Sequence, residues 1–248
     1  MIMDELCVVK KNGRRIRGTA FIPEKNGARY PAVIFSHGLW CSQKDFWYFG
    51  YRFPEIGAAG IFFDFCGGSP EGSSDGSMEK MTPFTEEEDL LEVIAYLRRL
   101  DYIDPDRVVL MGESMGGLVS AMAGASLKDG IRGLCLWYPA FSVHEVFSGS
   151  VASANDVTGS YPSYASLRAA CAGMDPYACA SGYGGPVLII QGDEDLLVPM
   201  RFQEKARSMY TDAELFVLHG AGHGFDGKQD TEAIDASVRF VRKALQLQ

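Results

Sequence analysis

Residues 112–116 carry the clearest chemical signal in the chain, because their sequence, GESMG, has the pattern G-x-S-x-G. The stretch follows an apolar run and precedes a helical pattern. In that setting the serine lies on a strained strand-to-helix turn that exposes its hydroxyl, and the flanking glycines let neighbouring backbone approach. We therefore predict that Ser114 is a nucleophile. The alternative is a glycine-rich turn whose serine only caps the helix.

A serine hydroxyl is a weak nucleophile and needs a general base within hydrogen-bond reach. Of the four histidines, His223 lies in a glycine-rich loop after the last apolar run. We predict that His223 is the base, and we interpret His219 as a packing or supporting residue and His144 as a surface residue. Two glycines lie between His219 and His223, which argues against a helix that directs both toward one metal ion. No metal site is expected.

The base must in turn be held in one tautomer by an acid. Asp193, Glu194 and Asp195 follow an apolar run in the sequence GDEDLLVP at positions 192–199. Open α/β sheets place their site residues at such carboxyl ends of strands. Spacing alone does not choose among the three acids.

Backbone amides are expected to form an oxyanion hole. Leu39 follows the apolar run at positions 32–36, and Met115 follows the predicted nucleophile, so their N–H groups are the two predicted donors. Loss of one such donor typically lowers turnover ~100–1,000-fold. His37, at the start of the same turn, is interpreted as an anchor of the turn.

The elements that must position these residues alternate between strands and helices. A hairpin at positions 6–10 and 14–22, with a tight primed turn at Asn12-Gly13, comes first. Six apolar runs typical of strands covered on both faces follow, at 32–36, 61–65, 107–111, 133–137, 187–191 and 214–218. Helices are predicted at 115–127, 200–209 and 231–245, and one more begins at Thr85. This alternation predicts the α/β class, with a mostly parallel twisted sheet flanked by helices.

Two further segments have a predicted role. Thr85 and Glu88 are interpreted as a capping box, and the acids at 86–89 as charges on a solvated helix face. Residues 141–184 form an aromatic-rich insertion that we expect to be a small lid within a single domain spanning 1–248. The lid is expected to form an apolar acyl pocket with help from four aromatic residues, Trp40, Trp47, Trp137 and Tyr138.

Composition excludes several classes of protein. The net charge of −9 disfavours binding to nucleic acid, and no apolar run approaches the ~18–20 residues that cross a bilayer. Positions 1–10 do not resemble a secretory signal. Six cysteines without a C-x-x-C pair indicate reduced thiols of a cytoplasmic protein, and a Cys171–Cys179 bridge is not favoured.

The motifs together resemble those of a serine hydrolase of the α/β-hydrolase superfamily. The resemblance rests on five stretches: His37-Gly38, Phe63-Asp64-Phe65, residues 112–117, residues 192–199 and Gly222-His223. The superfamily pattern G-x-x-D-x-x-V-P implies that Asp195 is the acid. Phe63-Asp64-Phe65, Ser74-Asp75-Gly76 and Met81-Thr82 resemble the branch of bacterial feruloyl and cinnamoyl esterases.

The resemblance implies a carboxylic ester hydrolase that forms an acyl-enzyme on Ser114, without a cofactor. The expected partner is a small-molecule ester, either a hydroxycinnamoyl or a short-chain acyl ester. Two other functions stay open: a serine peptidase or amidase on the same fold, and a catalytically silent binding module. A homodimer is also left open.

Overall fold

The amino-terminal hairpin forms one edge of the sheet in the computed structural model, which describes residues 1–24, 26–128, 130–149 and 164–247. Strand β1 (Ile2–Val9) pairs antiparallel with β2 (Arg15–Ile22). The predicted hairpin is confirmed, but its connection is a three-residue loop and not a two-residue primed turn. The Lys10 amide donates to the Arg14 carbonyl and thereby encloses three residues, with Gly13 at φ 83°. Gly13 takes the left-handed conformation that a three-residue hairpin loop needs.

Six further strands complete an eight-stranded sheet. They are β3 (Tyr30–Ser36), β4 (Ala59–Phe63), β5 (Ile103–Glu113), β6 (Gly133–Trp137), β7 (Val187–Gly192) and β8 (Ala213–Leu218). The spatial order is β1-β2-β4-β3-β5-β6-β7-β8. From β4 to β8 all neighbours are parallel, whereas β2 pairs antiparallel with β4. The predicted α/β class with a mostly parallel sheet is therefore confirmed.

Helices cover both faces of this sheet. The α-helices are α1 (Arg52–Glu55), α2 (Pro83–Leu97), α3 (Ser114–Leu127), α4 (Val143–Phe147), α5 (Ala165–Gly173), α6 (Pro176–Ala180), α7 (Met200–Met209) and α8 (Gly227–Leu245). Among the described residues, two 3₁₀ helices span Gln43–Phe49 and Met78–Lys80. Helix α3 packs on β5 and β6 from one side, and α8 packs on the same strands from the other.

The start of α2 differs from the prediction. The cap is Thr82, whose hydroxyl accepts from the Thr85 amide, while the Thr85 hydroxyl accepts from the Thr82 amide. The cap therefore lies three residues earlier than predicted, and the helix begins at Pro83. A proline at the first helical position loses nothing, because the amide it lacks has no partner within a helix.

The interpretation of residues 86–89 as a solvated face is wrong for two of the four acids. Glu86 is 2% exposed and Asp89 is 1% exposed. Asp89 accepts from the Lys10 ammonium and from the Cys66 amide, so it joins α2 to the hairpin and to the loop after β4. Burial raises the pKa of Glu86 well above its usual value, and the nearby Asp89 carboxylate adds to the shift.

The predicted lid is described in part. Helices α4, α5 and α6 lie within positions 141–184, and the segment 150–163, which includes Tyr161, is outside the described residues. Within the described part of the chain no helix has the length and apolar composition that crossing a bilayer requires. All six cysteines are free.

Candidate active site

Five adjacent parallel strands end at the same edge of the sheet, and a residue predicted for the site follows each of them. Ser114 follows β5, and Asp195 and His223 follow β7 and β8. Leu39 follows β3, and Tyr138 follows β6. Residues far apart in the sequence therefore meet because the carboxyl ends of parallel strands lie side by side.

The turn at Ser114 is strained and tightly packed. Ser114 has φ 49°, a left-handed conformation that a non-glycine residue rarely adopts. A Cβ atom at Gly112 would lie 2.4 Å from the Gly116 carbonyl oxygen. A Cβ atom at Gly116 would lie 2.2 Å from the Ser36 carbonyl oxygen at the end of β3. Both glycines are therefore needed for helix α3 to start this close to the sheet.

A chain of hydrogen bonds links the three predicted catalytic side chains. The Ser114 Oγ atom lies 3.0 Å from His223 Nε2, and His223 Nδ1 lies 2.9 Å from Asp195 Oδ2. A carboxylate oxygen can only accept, so Nδ1 carries the hydrogen and Nε2 presents its lone pair to the serine hydroxyl. In this tautomer His223 is able to accept the serine proton.

Asp195 is a buried carboxylate with four donors. Its Oδ1 accepts from the amides of Leu197 and Val198 at 2.9 and 2.8 Å, and its Oδ2 accepts from Gln191 Nε2 at 3.0 Å and from His223. Burial alone would raise the pKa of Asp195. The hydrogen bond and charge of His223, together with the other donors, outweigh burial and hold this pKa below its usual value. The group is therefore ionised at neutral pH.

The other two acids of this loop do not approach His223. Asp193 accepts from His219 Nδ1 and from the Gly220 amide, both at 2.7 Å. His219 is largely exposed, and so is His144 on α4. The structure therefore brings one acid of the three to His223 and gives Asp193 a separate partner on the surface.

The loop after β3 is fixed by a buried histidine. His37 Nε2 accepts from the Phe65 amide, and His37 Nδ1 donates to the Gly38 carbonyl at 2.8 Å. Burial lowers the pKa of His37, and the Gly38 carbonyl opposes this shift only in part. A neutral His37 thus anchors the turn that leads to Leu39. The interpretation of His37 as a turn anchor agrees with these contacts.

A pocket of about 180 Å³ opens beside Ser114 and His223. Its other lining residues are mostly apolar and include both predicted oxyanion donors: Leu39, Trp40, Met115, Ala140, Ser142, Val143, Val146, Phe147, Leu197 and Val198. The Ser142 hydroxyl already donates to the Leu197 carbonyl. Apart from His223, the described lining carries no ionisable side chain, so it suits an uncharged group.

The aromatic contribution to this pocket is smaller than predicted. Trp40 lines it, whereas Trp47 and Trp137 belong to the apolar cluster on the face of the sheet that α8 covers. Side chains of β6 point alternately to the two faces of the sheet, and Trp137 lies on the face of this cluster, with its ring centroid 5.6 Å from that of Phe49. A larger groove of about 550 Å³ lies against α8 and includes neither Ser114 nor His223. The smaller pocket is therefore the candidate site.

Glu113 and Tyr138 both lie against the site. No role was predicted for Glu113, whereas Tyr138 was predicted to help form the pocket and lies beside the His223 ring instead. Glu113 accepts from the Gly38 amide at 2.7 Å and from the Tyr138 hydroxyl at 2.6 Å. The Tyr138 ring lies 4.8 Å from the His223 ring in an edge-on arrangement. A charged residue soon after the apolar run at positions 108–111 of β5 was the signal that could have identified Glu113.

Comparison with known proteins agrees with this fold. The protein YfhR of Escherichia coli O157:H7 is 24% identical over 252 residues, which cover 95% of this chain and 79% of YfhR. Est1E from Butyrivibrio proteoclasticus, solved with ferulic acid bound, superposes with a TM-score of 0.82 at 23% identity and covers 97% of this chain and 99% of its own. Acetyl xylan esterase 1 from Thermoanaerobacterium sp. JW/SL YS485 superposes with a TM-score of 0.74 at 19% identity, covering 97% of this chain and 82% of its own.

These structural similarities show the α/β-hydrolase fold that the sequence motifs implied. A family assignment comes from the sequence itself, which matches the description of the prolyl oligopeptidase family from residue 62 to residue 248. This match covers most of the chain and includes Ser114, Asp195 and His223. The chain belongs to the prolyl oligopeptidase family and is a hydrolase of the α/β-hydrolase fold.

Proposed function

We propose that the protein is a serine hydrolase that cleaves carboxylic esters with an uncharged acyl group. The observation that carries this proposal is the hydrogen-bonded series from Ser114 Oγ to His223 to Asp195 at the mouth of an apolar pocket. An ionised, buried acid next to an imidazole next to a serine hydroxyl is the arrangement that general-base activation of the serine needs.

In the proposed reaction, Ser114 Oγ attacks the acyl carbonyl carbon while His223 Nε2 takes the hydroxyl proton. The negative charge that forms on the carbonyl oxygen accepts hydrogen bonds from the amides of Leu39 and Met115. The bond to the alcohol oxygen then breaks, and the alcohol leaves with the proton held by His223. Asp195 stabilises the imidazolium and keeps its ring oriented in the interval.

The second half of the reaction returns the enzyme to its starting state. A water molecule gives a proton to His223 Nε2 and attacks the acyl carbon bound to Ser114. Collapse of this second intermediate breaks the bond to Ser114, whose oxygen recovers the proton from His223. The products are one carboxylic acid and one alcohol, and no cofactor or metal takes part.

The acyl group is proposed to be a short chain or a hydroxycinnamoyl group. The apolar lining from Val143, Val146 and Phe147 supports an uncharged acyl group, since a charge buried there would have no partner of opposite charge. Est1E, with ferulic acid bound, supports the aromatic choice at the level of fold. Because α4 supplies these three residues, we also propose that residues 141–184 act as the lid within one domain.

The free cysteines fit a cytoplasmic location.

A serine peptidase or amidase is the second candidate, and the family match favours it. The same nucleophile and base act on amides. An aminoacyl substrate carries an ammonium group that needs a carboxylate partner, and the described lining of the pocket offers none. This difference supports esters.

Ser114→Ala tests the proposal. The wild-type protein should hydrolyse p-nitrophenyl butyrate or methyl ferulate faster than aminoacyl amides, and a fluorophosphonate probe should label it once. The variant should lose both properties and keep its unfolding temperature. The control is Ser126→Ala, which removes an exposed hydroxyl from the same helix and should behave as wild type.

Three results would contradict the proposal in different ways. Hydrolysis retained by Ser114→Ala would remove the serine from the mechanism. Amides cleaved faster than esters would establish the peptidase or amidase. A wild-type protein that neither reacts with the probe nor turns over any ester would indicate a silent binding module.

A further inference from the structure

Glu113 lies between the nucleophile and the loop that carries a proposed oxyanion donor. Its side chain is buried, and each of its carboxyl oxygens accepts a hydrogen bond from a residue of the site. Oε1 accepts from the Gly38 amide at 2.7 Å, and Oε2 accepts from the Tyr138 hydroxyl at 2.6 Å. One side chain at the end of β5 therefore contacts residues that follow β3 and β6.

The contact with Gly38 leaves no room for a Cβ atom at that position unless the Glu113 carboxylate moves away. A Cβ atom on Gly38 would lie 2.4 Å from Glu113 Oε1 and 3.2 Å from the Ser114 Cβ atom. The loop after β3 therefore lies directly on the serine turn, and Glu113 Oε1 fixes the distance between them.

The geometry of Gly38 determines where the Leu39 amide points. Glu113 holds the amide of Gly38, and the His37 ring and the Cys41 amide hold its carbonyl. That carbonyl and the Leu39 N–H belong to the same planar peptide unit, so fixing one fixes the other. The direction of a proposed oxyanion donor thus depends on two buried side chains, of which Glu113 is adjacent to the nucleophile.

The second contact of Glu113 reaches the base. The Tyr138 ring packs 4.8 Å from the His223 ring and 4.7 Å from the Phe225 ring, both at steep angles. The Tyr138 amide donates to the Ile190 carbonyl at 2.7 Å, so its backbone is also fixed. By holding the Tyr138 hydroxyl, Glu113 limits the rotation of the surface on which His223 rests.

We propose that Glu113 is a positioning residue that holds the Leu39 amide and the His223 ring in the arrangement that acyl transfer requires. An apolar side chain would fill the same volume without the cost of burying two polar oxygens. The two hydrogen bonds that offset this cost both end on parts of the site. This role rests on the proposed ester hydrolysis.

Four variants test the role. Glu113→Leu removes both acceptors, and Glu113→Gln keeps an acceptor for Gly38 but turns a donor toward Tyr138. Tyr138→Phe removes only the hydroxyl. The matched control is Tyr210→Phe, because Tyr210 is also buried and its hydroxyl donates to the Ala180 carbonyl, away from Ser114.

Positioning should appear in kcat and not in KM. We expect Glu113→Leu to lower kcat ~100–1,000-fold, the usual effect of losing one oxyanion donor, with KM changed less than about threefold. Glu113→Gln and Tyr138→Phe should each lose about two- to tenfold in kcat, the range for one hydrogen bond. Tyr210→Phe should lose stability like Tyr138→Phe but keep wild-type kcat.

An inhibitor provides a second readout that a structural role alone would not change. A trifluoromethyl ketone forms an oxyanion on Ser114, whereas the product acid binds without forming a bond. Affinity for the ketone should fall in parallel with kcat across the variants, and affinity for the acid should stay within about threefold.

The outcomes separate this role from the proposed function. A folded Glu113→Leu protein with wild-type kcat and ketone affinity overturns the role and leaves ester hydrolysis intact. If Glu113→Leu does not fold, equal kcat for Tyr138→Phe and Tyr210→Phe overturns it. A wild-type protein that hydrolyses no ester and is not labelled at Ser114 overturns both proposals.

Discussion

Replacing Asp195 by asparagine tests the proposed triad through hydrogen-bond donors that cannot rearrange. The carboxylate accepts from four groups, two on each oxygen: the amides of Leu197 and Val198 on Oδ1, and Gln191 Nε2 and His223 Nδ1 on Oδ2. Asparagine has one acceptor oxygen and one NH₂ group. In either orientation of the amide, its NH₂ group faces two groups that are themselves hydrogen-bond donors.

The backbone amides decide which orientation wins. They are fixed by the chain, so the asparagine oxygen should stay with Leu197 and Val198. Its NH₂ group then faces His223 Nδ1, which can accept only if the ring proton moves to Nε2. Gln191 cannot compensate by rotating, because its Nε2 also donates to the carbonyls of Gly192 and Val198. A proton on Nε2 leaves Ser114 without a base.

The expected loss in kcat for Asp195→Asn is ~10⁴-fold, which corresponds to about 5.5 kcal/mol of transition-state stabilisation. Ester hydrolysis by the purified variant, measured at saturating substrate, gives this value directly. The thermal unfolding temperature should fall as well, because Gln191 Nε2 and His223 Nδ1 lose the oxygen that accepts from them.

The control for this variant is Asp193→Asn, two residues earlier in the same loop. Asp193 also accepts from a histidine and from a backbone amide, but both its partner His219 and its own carboxylate are exposed. Its kcat should change less than about threefold, since such an exposed contact contributes little. The reverse result, with Asp193→Asn inactive and Asp195→Asn active, would refute the assignment of the acid.

Two further predictions concern stability. Glu86→Gln should stabilise the protein more at pH 8 than at pH 4.5, because burial raises the pKa of Glu86 in the folded state. As the pH rises above the pKa of Glu86 in the unfolded chain, the free energy of unfolding falls by up to about 1.4 kcal/mol per pH unit. Glutamine does not ionise, so the variant avoids this loss. Urea unfolding of both proteins across that range checks it, and a constant difference would contradict it. Gly116→Ala should destabilise the protein by about 1–3 kcal/mol or more and lower kcat, since its Cβ atom would lie 2.2 Å from a backbone oxygen of β3. The control is Gly173→Ala, whose Cβ atom would meet nothing within 4 Å, and equal unfolding temperatures for the two variants would contradict the packing argument.

The order of strands and helices was predictable because buried parallel strands and amphipathic helices leave different apolar patterns in the sequence. Helix α7 (Met200–Met209) matches the predicted bounds, while α2 and α8 begin earlier than predicted. The start of α2 was predicted wrongly because a cap depends on which side chain folds back onto the backbone. Thr82 and Thr85 each carry a hydroxyl group that is able to do so.

The burial of Glu86 and Asp89 was not predictable from their charge. A run of four acids at a helix start usually faces water, but α2 packs against the loop after β4 and against the hairpin, which brings Lys10 to Asp89. The partner lies 79 residues away in the sequence. Local composition carries no information about a contact of that separation.

The sequence by itself determined the local geometry around the proposed nucleophile. A serine between glycines at a strand-to-helix junction specifies the turn, because only residues without side chains fit the backbone contacts at positions 112 and 116. It also determined the fold class, since that follows from the alternation of periodic segments. Both properties depend on residues that are close together in the sequence, so they can be predicted from the sequence alone.

Spacing alone left open which acid faces His223, the superfamily pattern implied Asp195, and the tertiary structure brings that acid to His223. Only the tertiary structure decided how Glu113 joins the loop after β3 to Tyr138, and which aromatic side chains reach the pocket. Each depends on where the ends of separate strands meet in space. Asp193 and Asp195 have the same chemistry and almost the same position in the chain, yet one pairs with His219 at the surface and the other with His223 in the interior. The direction of the backbone after β7 makes that difference.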